Sequence, residues 1–412
     1  MILPEKTADA SRTHLSVKCH TPLGTVTKNS SLYQKASSVM GSFDPSTGEI
    51  IEPSPQRTRA NRWALKSVVN KTLKGSRTSK CMVLRAPAIG GGLAPIEVKK
   101  GETCKRAFYQ GLMACGSVWA CPVCASKIAE RRRKEIREAM DNAAAQGLRV
   151  HFVTLTVPHG IGDDINELLS GLRGALKRLS SGKHAVSKQL GGSLVGFIRT
   201  LEVTHGKNGW HPHYHLLVFT DANTSIDTVK SVYAPAWQRA CRLAGLPIPS
   251  DEHGCTVQDG TKAADYASKW GLEDEMTKSH IKQTRRKGAT PWGLLRCILD
   301  GNDPEYSPEK ATALFRLYVN AFKGSRQLHW SIGLREKLEV GQEVSDKILA
   351  DQPDDERALL IGTLTVEQWR IVRRNRAEST VLDAAEGGPD SLAALLAFLE
   401  AGKVKKPPPD GT

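Results

Sequence analysis

Residues 194–220 read LVGFIRTLEVTHGKNGWHPHYHLLVFT, and the placement of the turn inside this stretch decides what the rest of the chain can be. Leu194 to His205 and Trp210 to Thr220 are rich in β-branched and aromatic residues and read as two strands. Asn208-Gly209 between them is the dipeptide favoured by a two-residue type I′ hairpin turn. Pairing Lys207 with Trp210 sets Gly206 opposite His211, Thr204 opposite His213 and Glu202 opposite His215. Side chains two apart on a strand share a face, and directly opposed residues share it too. His211, His213 and His215 therefore converge with the Glu202 carboxylate, whereas a one-residue slip would remove Glu202 to the other side.

Two imidazoles and a carboxylate, with positions left for water and a phosphate oxygen, suit a divalent ion that polarises a phosphodiester. Mg²⁺ or Mn²⁺ meets that need, and Mn²⁺ tolerates nitrogen ligands better. Two of these histidines and Glu202 are the candidate ligands. His211 is open between a fourth ligand, a hydrogen-bond partner behind the ligands and an unrelated residue held by Pro212.

Farther along, Thr261 to Gly271 reads as a helix on which Tyr266 and Lys269, three apart, share a face. A phenol of ordinary pKa near ~10 is a poor nucleophile at neutral pH, and a neighbouring ammonium or metal ion stabilises its phenolate. Alone, Tyr-x-x-Lys is a common amphipathic pattern, and the upstream histidines give it weight.

Together these segments resemble the HUH endonucleases, and among them the initiator (Rep) proteins of plasmids that replicate by a rolling circle. Phe152-Val-Thr-Leu-Thr156 is similar to the family's first strand motif, His213-Tyr214-His215 to its metal motif and Tyr266 to Lys269 to its nucleophile motif. Thr290-Pro-Trp-Gly-Leu-Leu295 and Gly324-Ser-Arg-Gln-Leu-His-Trp330 are similar to segments downstream of the tyrosine. The resemblance covers about residues 100–340, in the motif order of these initiators; conjugative relaxases place the tyrosine first.

The resemblance implies a site-specific, metal-dependent strand transferase acting on plasmid origin DNA, in a single-stranded or cruciform nick site. Tyr266 would attack a phosphodiester at the double-strand origin, leaving a 5′-phosphotyrosine link and a free 3′-OH, with host helicase and polymerase as partners. Several members use a nearby carboxylate to finish the reaction. This chain carries Lys262 one helical turn before Tyr266, and Asp265, Asp259 and Glu273 remain candidates, as does a second subunit's tyrosine.

Cys104, Cys115, Cys121 and Cys124 fall close together, and Cys121-Pro-Val-Cys124 is the spacing by which two thiolates grip one tetrahedral zinc. Four sulfurs leave no open position, so this zinc is expected to be structural. Redox chemistry competes less well, because no thioredoxin-like strand precedes the pair.

The chain has 412 residues, 58 Lys+Arg against 43 Asp+Glu, and 40% hydrophobic content. Residues 342–412 hold 13 acidic and 9 basic residues, so the basic excess sits with the motifs. Arg131, Arg132, Arg133 and Lys134, and Arg285, Arg286 and Lys287, are candidate phosphate contacts, although such runs are often solvated helix surface. No apolar run is long enough to span a bilayer and no signal-peptide pattern opens the chain, so a cytoplasmic protein is expected.

The organisation expected from this is a flexible basic arm over 1–80, a four-cysteine segment and basic helix over 81–148, a nicking domain over 149–280, a helical extension over 281–340 and an acidic helical region over 341–412. The fold class is α+β: an antiparallel sheet of four or five strands with helices on one face, the ferredoxin-like arrangement that the resemblance also implies. A helix-turn-helix in the last region is a further expectation. Two other functions fit parts of the sequence. His211 to Val218 is also similar to the His-φ-His-φ-His pattern of histidine-triad nucleotide hydrolases and transferases, with His213 as nucleophile. A non-catalytic zinc-containing DNA-binding protein would need only the cysteines and the charge. The endonuclease reading is preferred because it explains several independent segments at once.

Overall fold

The computed structural model describes residues 55–260 and 288–402. In chain order the main helices are α1 (Pro55–Thr72), α2 (Pro122–Ala145), α3 (Ile165–Ser180), α4 (Ile226–Leu243), α5 (Pro291–Asp300), α6 (Pro308–Phe322), α7 (Val366–Arg374), α8 (Glu378–Glu386) and α9 (Pro389–Ala401). The strands are β1 (Ile96–Gly101), β2 (Ala107–Gln110), β3 (Arg149–Leu155), β4 (Leu194–Gly206), β5 (Gly209–Thr220), β6 (Cys255–Asp259), β7 (Leu328–Trp330) and β8 (Ala358–Leu364). The molecule is α+β, as expected.

Five strands form an antiparallel sheet in the order β6-β3-β5-β4-β7. One face carries Val153, Leu155, Leu201, Val203, Leu216 and Val218, all buried. It is covered by α3 and α4. Helix α3 forms because Ile165, Leu168, Leu169, Leu172, Ala175, Leu176 and Leu179 recur at helical spacing, and because Asp164 Oδ1 accepts from the backbone amides of Asn166 and Glu167 at its start. Leu172 is fully buried, so its replacement by alanine should cost about 3 kcal/mol.

The opposite face is not bare, and here the structure departs from the expected single covered face. Phe152, Ile198, Leu217, Phe219 and Trp330 pack against Ile136, Ala139, Met140 and Ala143 of α2, and against Leu334 and Leu338. The cysteine segment's helix thus lies on the sheet. It covers only one end of this face, and the polar residues of the candidate site continue along the same strands beyond it.

The hairpin register differs from the sequence reading by two residues. Gly206 pairs with Gly209, Thr204 with His211 and Glu202 with His213. The turn residues are Lys207 and Asn208, neither of which has a positive φ, while Gly209 does, at 82°. That is the pattern of a type I turn followed by a left-handed glycine, rather than type I′. Gly209 also lies under the 160–161 backbone: a Cβ there would stand 2.8 Å from the Gly160 carbonyl oxygen. A shift of two preserves parity, so Glu202 keeps its face.

A second, three-stranded sheet has the order β2-β1-β8. It joins regions far apart in sequence, since β8 pairs with β1 across 260 residues. Of the arm expected over 1–80, residues 55–72 are instead helical, with Trp63, Leu65, Val68 and Val69 buried, so this part of the expectation is corrected. Arg59 binds Asp383 at 2.7 Å and also Glu386, tying α1 to α8. The acidic tail region therefore acts as counterion to basic residues of the body: Lys127 meets Asp354 and Arg132 meets Asp346. Among the described residues no helix is long and apolar enough to cross a membrane.

Candidate metal centres and active site

Glu202 Oε2 lies 3.5 Å from both His213 Nε2 and His215 Nε2. The three donor atoms lie within 4.8 Å of one another. Each imidazole is fixed from behind. His213 Nδ1 donates to the His211 carbonyl oxygen at 3.1 Å, and since a carbonyl only accepts, the proton sits on Nδ1 and the Nε2 lone pair faces forward. His215 Nδ1 is 2.9 Å from Thr154 Oγ1, and its ring stacks on Phe152 with centroids 5.0 Å apart. The first strand motif thus supplies the support for the second motif's histidine, a role that its alternating residues 152 and 154 carried in the sequence but that the sequence reading left unassigned.

A carboxylate oxygen facing a nitrogen lone pair is repulsive unless a proton or a cation lies between them. A divalent ion answers both imidazoles and the carboxylate together, and Glu202 Oε1 is buried with no hydrogen-bond partner among the described residues, leaving a second carboxylate oxygen for the same purpose. Burial acts to raise the Glu202 carboxyl; with both rings protonated and no metal present, the hydrogen bonds and charge of His213 and His215 outweigh it and hold the group down at about 2. The donor set fits a divalent metal.

His211 stands beside this set. Its ring lies 4.9 Å from that of His213 and stacks on His159, centroids 4.6 Å apart and planes within 10°. Burial first, then the neighbouring His213, His159 and His215, push its imidazole down to about 4, so it is neutral at pH 7. It shapes the site through its carbonyl and its stack. His159, on the loop that clasps the hairpin tip, was not read from the sequence; a lone loop histidine gives no pattern to find it by.

Tyr266 and Lys269, with Asp265, Glu273 and the basic run Arg285, Arg286 and Lys287, lie outside the described residues. Asp259 ends β6 at the sheet edge and is exposed.

The cysteine site needs a correction. Sγ atoms of Cys81, Cys115, Cys121 and Cys124 come together, with Cys81–Cys124 at 3.5 Å and Cys115–Cys124 and Cys81–Cys121 at 3.7 Å. Four thiolates at about 2.3 Å from one tetrahedral zinc would stand about 3.8 Å apart, so the cluster fits zinc. Amides of Cys115 and Ser117 donate to Cys81 Sγ and Cys115 Sγ. Cys104 is excluded: it sits exposed in the turn between β1 and β2, where its amide donates to Asp355.

The basic run on α2 is also largely spent within the fold. Arg132 is buried and binds Glu135, Asp346 and the Val344 carbonyl; Arg131 donates to the Gln352 and Pro353 carbonyls; Arg133 binds Glu130. Lys134 alone of the four is exposed.

The histidine–carboxylate group on two strands of the antiparallel sheet and the four-cysteine cluster are thus two separate donor sets, each able to hold a metal ion. Comparison with known proteins gives the family. A family model described as replication protein matches residues 109–375, more than half the chain, so the chain belongs to this family of replication proteins, in agreement with the motif resemblance to rolling-circle plasmid initiators. The match spans Glu202, His213 and His215 and three of the four clustered cysteines. "Protein rep" of Streptomyces lividans is 27% identical over 350 residues, covering 67% of this chain and 76% of that protein. "Protein rep" of Staphylococcus aureus is 26% identical over 137 residues, 32% of this chain and 52% of that one. A "Neomycin resistance protein" of Streptomyces cyanogenus is 34% identical over 139 residues, 28% of this chain and 32% of its own length. No solved structure matches.

Proposed function

We propose that this chain initiates plasmid rolling-circle replication in the cytoplasm by nicking one strand at the double-strand origin and later rejoining the displaced strand. The observation that carries this reading is the convergence of His213 Nε2, His215 Nε2 and Glu202 Oε2, with both Nδ1 atoms engaged behind them. A bound Mg²⁺ or Mn²⁺ would supply Lewis acidity to a phosphate oxygen and favour a phenolate. In the nick, Tyr266 Oη loses its proton and forms a bond to phosphorus as the bond to the 3′ oxygen breaks, giving a 5′-phosphotyrosine and a 3′-OH. Host polymerase would extend that end, with a host helicase opening the duplex. Lys269 would hold the phenolate by charge.

Chain length permits the meeting. Gly260 N donates to the Val150 carbonyl at 2.8 Å, and Val150 is four residues, about 13 Å, from Thr154 along β3. Tyr266 follows Gly260 by six residues, which reach about 20 Å when extended. On the far side, Ala289 bridges to His205, three residues beyond Glu202 on β4. Both anchors of the tyrosine segment are thus on the site's own sheet.

Zinc in Cys81, Cys115, Cys121 and Cys124 would fix the seam between α1, α2 and the small sheet, a structural role. The histidine-triad alternative is disfavoured by His213 Nε2 facing a carboxylate rather than open space. The test is an origin-derived single strand incubated with the protein and Mn²⁺. A covalent adduct that survives boiling in detergent is expected, lost with EDTA and lost in Tyr266→Phe. An adduct formed by Tyr266→Phe would remove the nucleophile assignment, and normal cutting by a His213→Ala, His215→Ala double variant would remove the metal site.

A further inference from the structure

The segment Gly324–Trp330 runs into β7, the edge strand beside β4, where His329 lies on the face opposite the metal centre while Leu328 and Trp330 lie on the metal-side face. Where the chain leaves α6, the Ser325 carbonyl accepts from Trp119 Nε1 at 2.7 Å, and Ser325 Oγ accepts from Arg173 of α3 at 2.6 Å. Four residues later, β7 pairs His329 with Arg199 of β4. Arg199 projects on the face opposite Glu202, and its Cζ lies 5.2 Å from the ring centroid of Tyr214, the residue between the two metal-binding histidines. Phe197 and His329 stack beside it, centroids 6.3 Å apart at 22°. His329 Nδ1 is buried without a hydrogen-bond partner among the described residues.

Charge at this place is only partly compensated. Arg173 and Arg326 are exposed, and the carboxylate that answers Arg326 is Glu343 at 4.0 Å. Arg199 is half-buried, with the Tyr214 ring as its neighbour, and no ion pair or hydrogen bond engages its guanidinium among the described residues. Burial first, then Arg199 and Arg326, push the His329 imidazole below its ordinary value, which keeps this ring neutral beside the guanidinium groups. A partly desolvated, unpaired guanidinium is costly unless an anion pairs with it, and its planar fork suits phosphate oxygens. Neutral rings alongside offer a stacking surface to an unpaired base.

We propose that Arg173, Arg199 and Arg326, with the Phe197–His329 stack, bind a stretch of single-stranded DNA at the β4–β7 edge of the sheet, beside α3 and on the side away from the metal centre. Guanidiniums take the phosphates, and the ring pair takes a base, which excludes a duplex whose bases are already stacked. The inference rests on the proposed DNA chemistry only for the identity of the polyanion.

The test uses the full chain, an oligo-dT of 30 nucleotides without origin sequence, and a salt series. An Arg173→Gln, Arg326→Gln double variant changes two exposed side chains, and a matched melting curve checks its fold. The slope of log affinity against log salt should shrink by about 1.4, since each lost single-strand phosphate contact removes about 0.7. Arg199→Gln should lower the affinity further. Adduct formation on a short oligonucleotide confined to the nick site should be unchanged, so this readout tests the nicking reading separately. An unchanged slope overturns the proposal. So does an equal change in Arg178→Gln, an exposed arginine on α3 that donates to its own helix at Gly174, or an equal loss with a duplex of the same length.

Discussion

Thr154 Oγ1 and His215 Nδ1 meet at 2.9 Å across the β3–β5 ladder, where the two residues are direct partners. One strand therefore orients an imidazole of the candidate metal site carried by its neighbour. Thr154→Val keeps the shape and removes the hydroxyl. Loss of such a partner behind a ligand typically weakens metal binding 10- to 100-fold. We expect Mn²⁺ affinity, measured by titration calorimetry, to fall by about that factor with little change in melting temperature, and nicking to recover at high Mn²⁺. Unaltered affinity would show that the hydroxyl does not hold the ring.

The cysteine assignment puts Cys81 in the place that sequence spacing gave to Cys104. Cys81→Ser removes a sulfur from the cluster, so bound zinc should fall from about one per chain to near zero and the melting temperature should drop sharply. Cys104→Ser lies in an exposed turn and should leave both unchanged. Metal analysis of purified protein with a thermal melt decides it. Zinc retained in Cys81→Ser would return Cys104 to consideration.

Arg132 tests whether a basic run is interface or scaffold. Its guanidinium binds Glu135 and Asp346 and is nearly buried, so Arg132→Met takes this partner from Asp346 and leaves Glu135 with Arg335. Breaking a buried pair from one side costs about 3 kcal/mol. Urea unfolding should show that loss, while the salt dependence of DNA binding stays as in the parent protein. A flattened salt dependence would instead make Arg132 a phosphate contact.

The parts of the fold legible in the sequence are those set by short-range periodicity. The α6 boundaries, Pro308–Phe322, follow from Pro at its first turn and apolar spacing. The face shared by Glu202, His213 and His215 survived a turn misassignment because a shift of two residues keeps parity, although Glu202 then opposes His213 rather than His215. Illegible parts depend on distant pairing. Residues 358–364 read as no element because their partner strand is 260 residues upstream. Cys81 was passed over because proximity in sequence favoured Cys104, whereas the β1–β2 hairpin carries Cys104 away and the end of the α1 region brings Cys81 in. Arg132 looked like a phosphate contact because one of its counterions, Asp346, lies in the acidic region 214 residues later.

Glu378 gives a pH dependence whose sign can be worked out. Burial raises its carboxyl to about 7, against an opposing pull from its own backbone and from Arg373, Lys66 and Arg376. Between its ordinary value of 4.5 and about 7, the folded chain holds a proton there that the unfolded chain has released. Folding through this group is thus favoured below pH 4.5, and the contribution is lost as pH rises through 7. Burial raises Asp383 to about 6, which acts in the same direction, while His211, held down at about 4, acts in the other. The informative quantity is the difference between parent and Glu378→Gln, which keeps the side chain's size and removes its charge. We expect the variant to melt higher than the parent at pH 8, and the gap to close by pH 5. A gap that is the same at both pH values would show that the Glu378 carboxyl titrates normally and that its surroundings impose no cost on the charge.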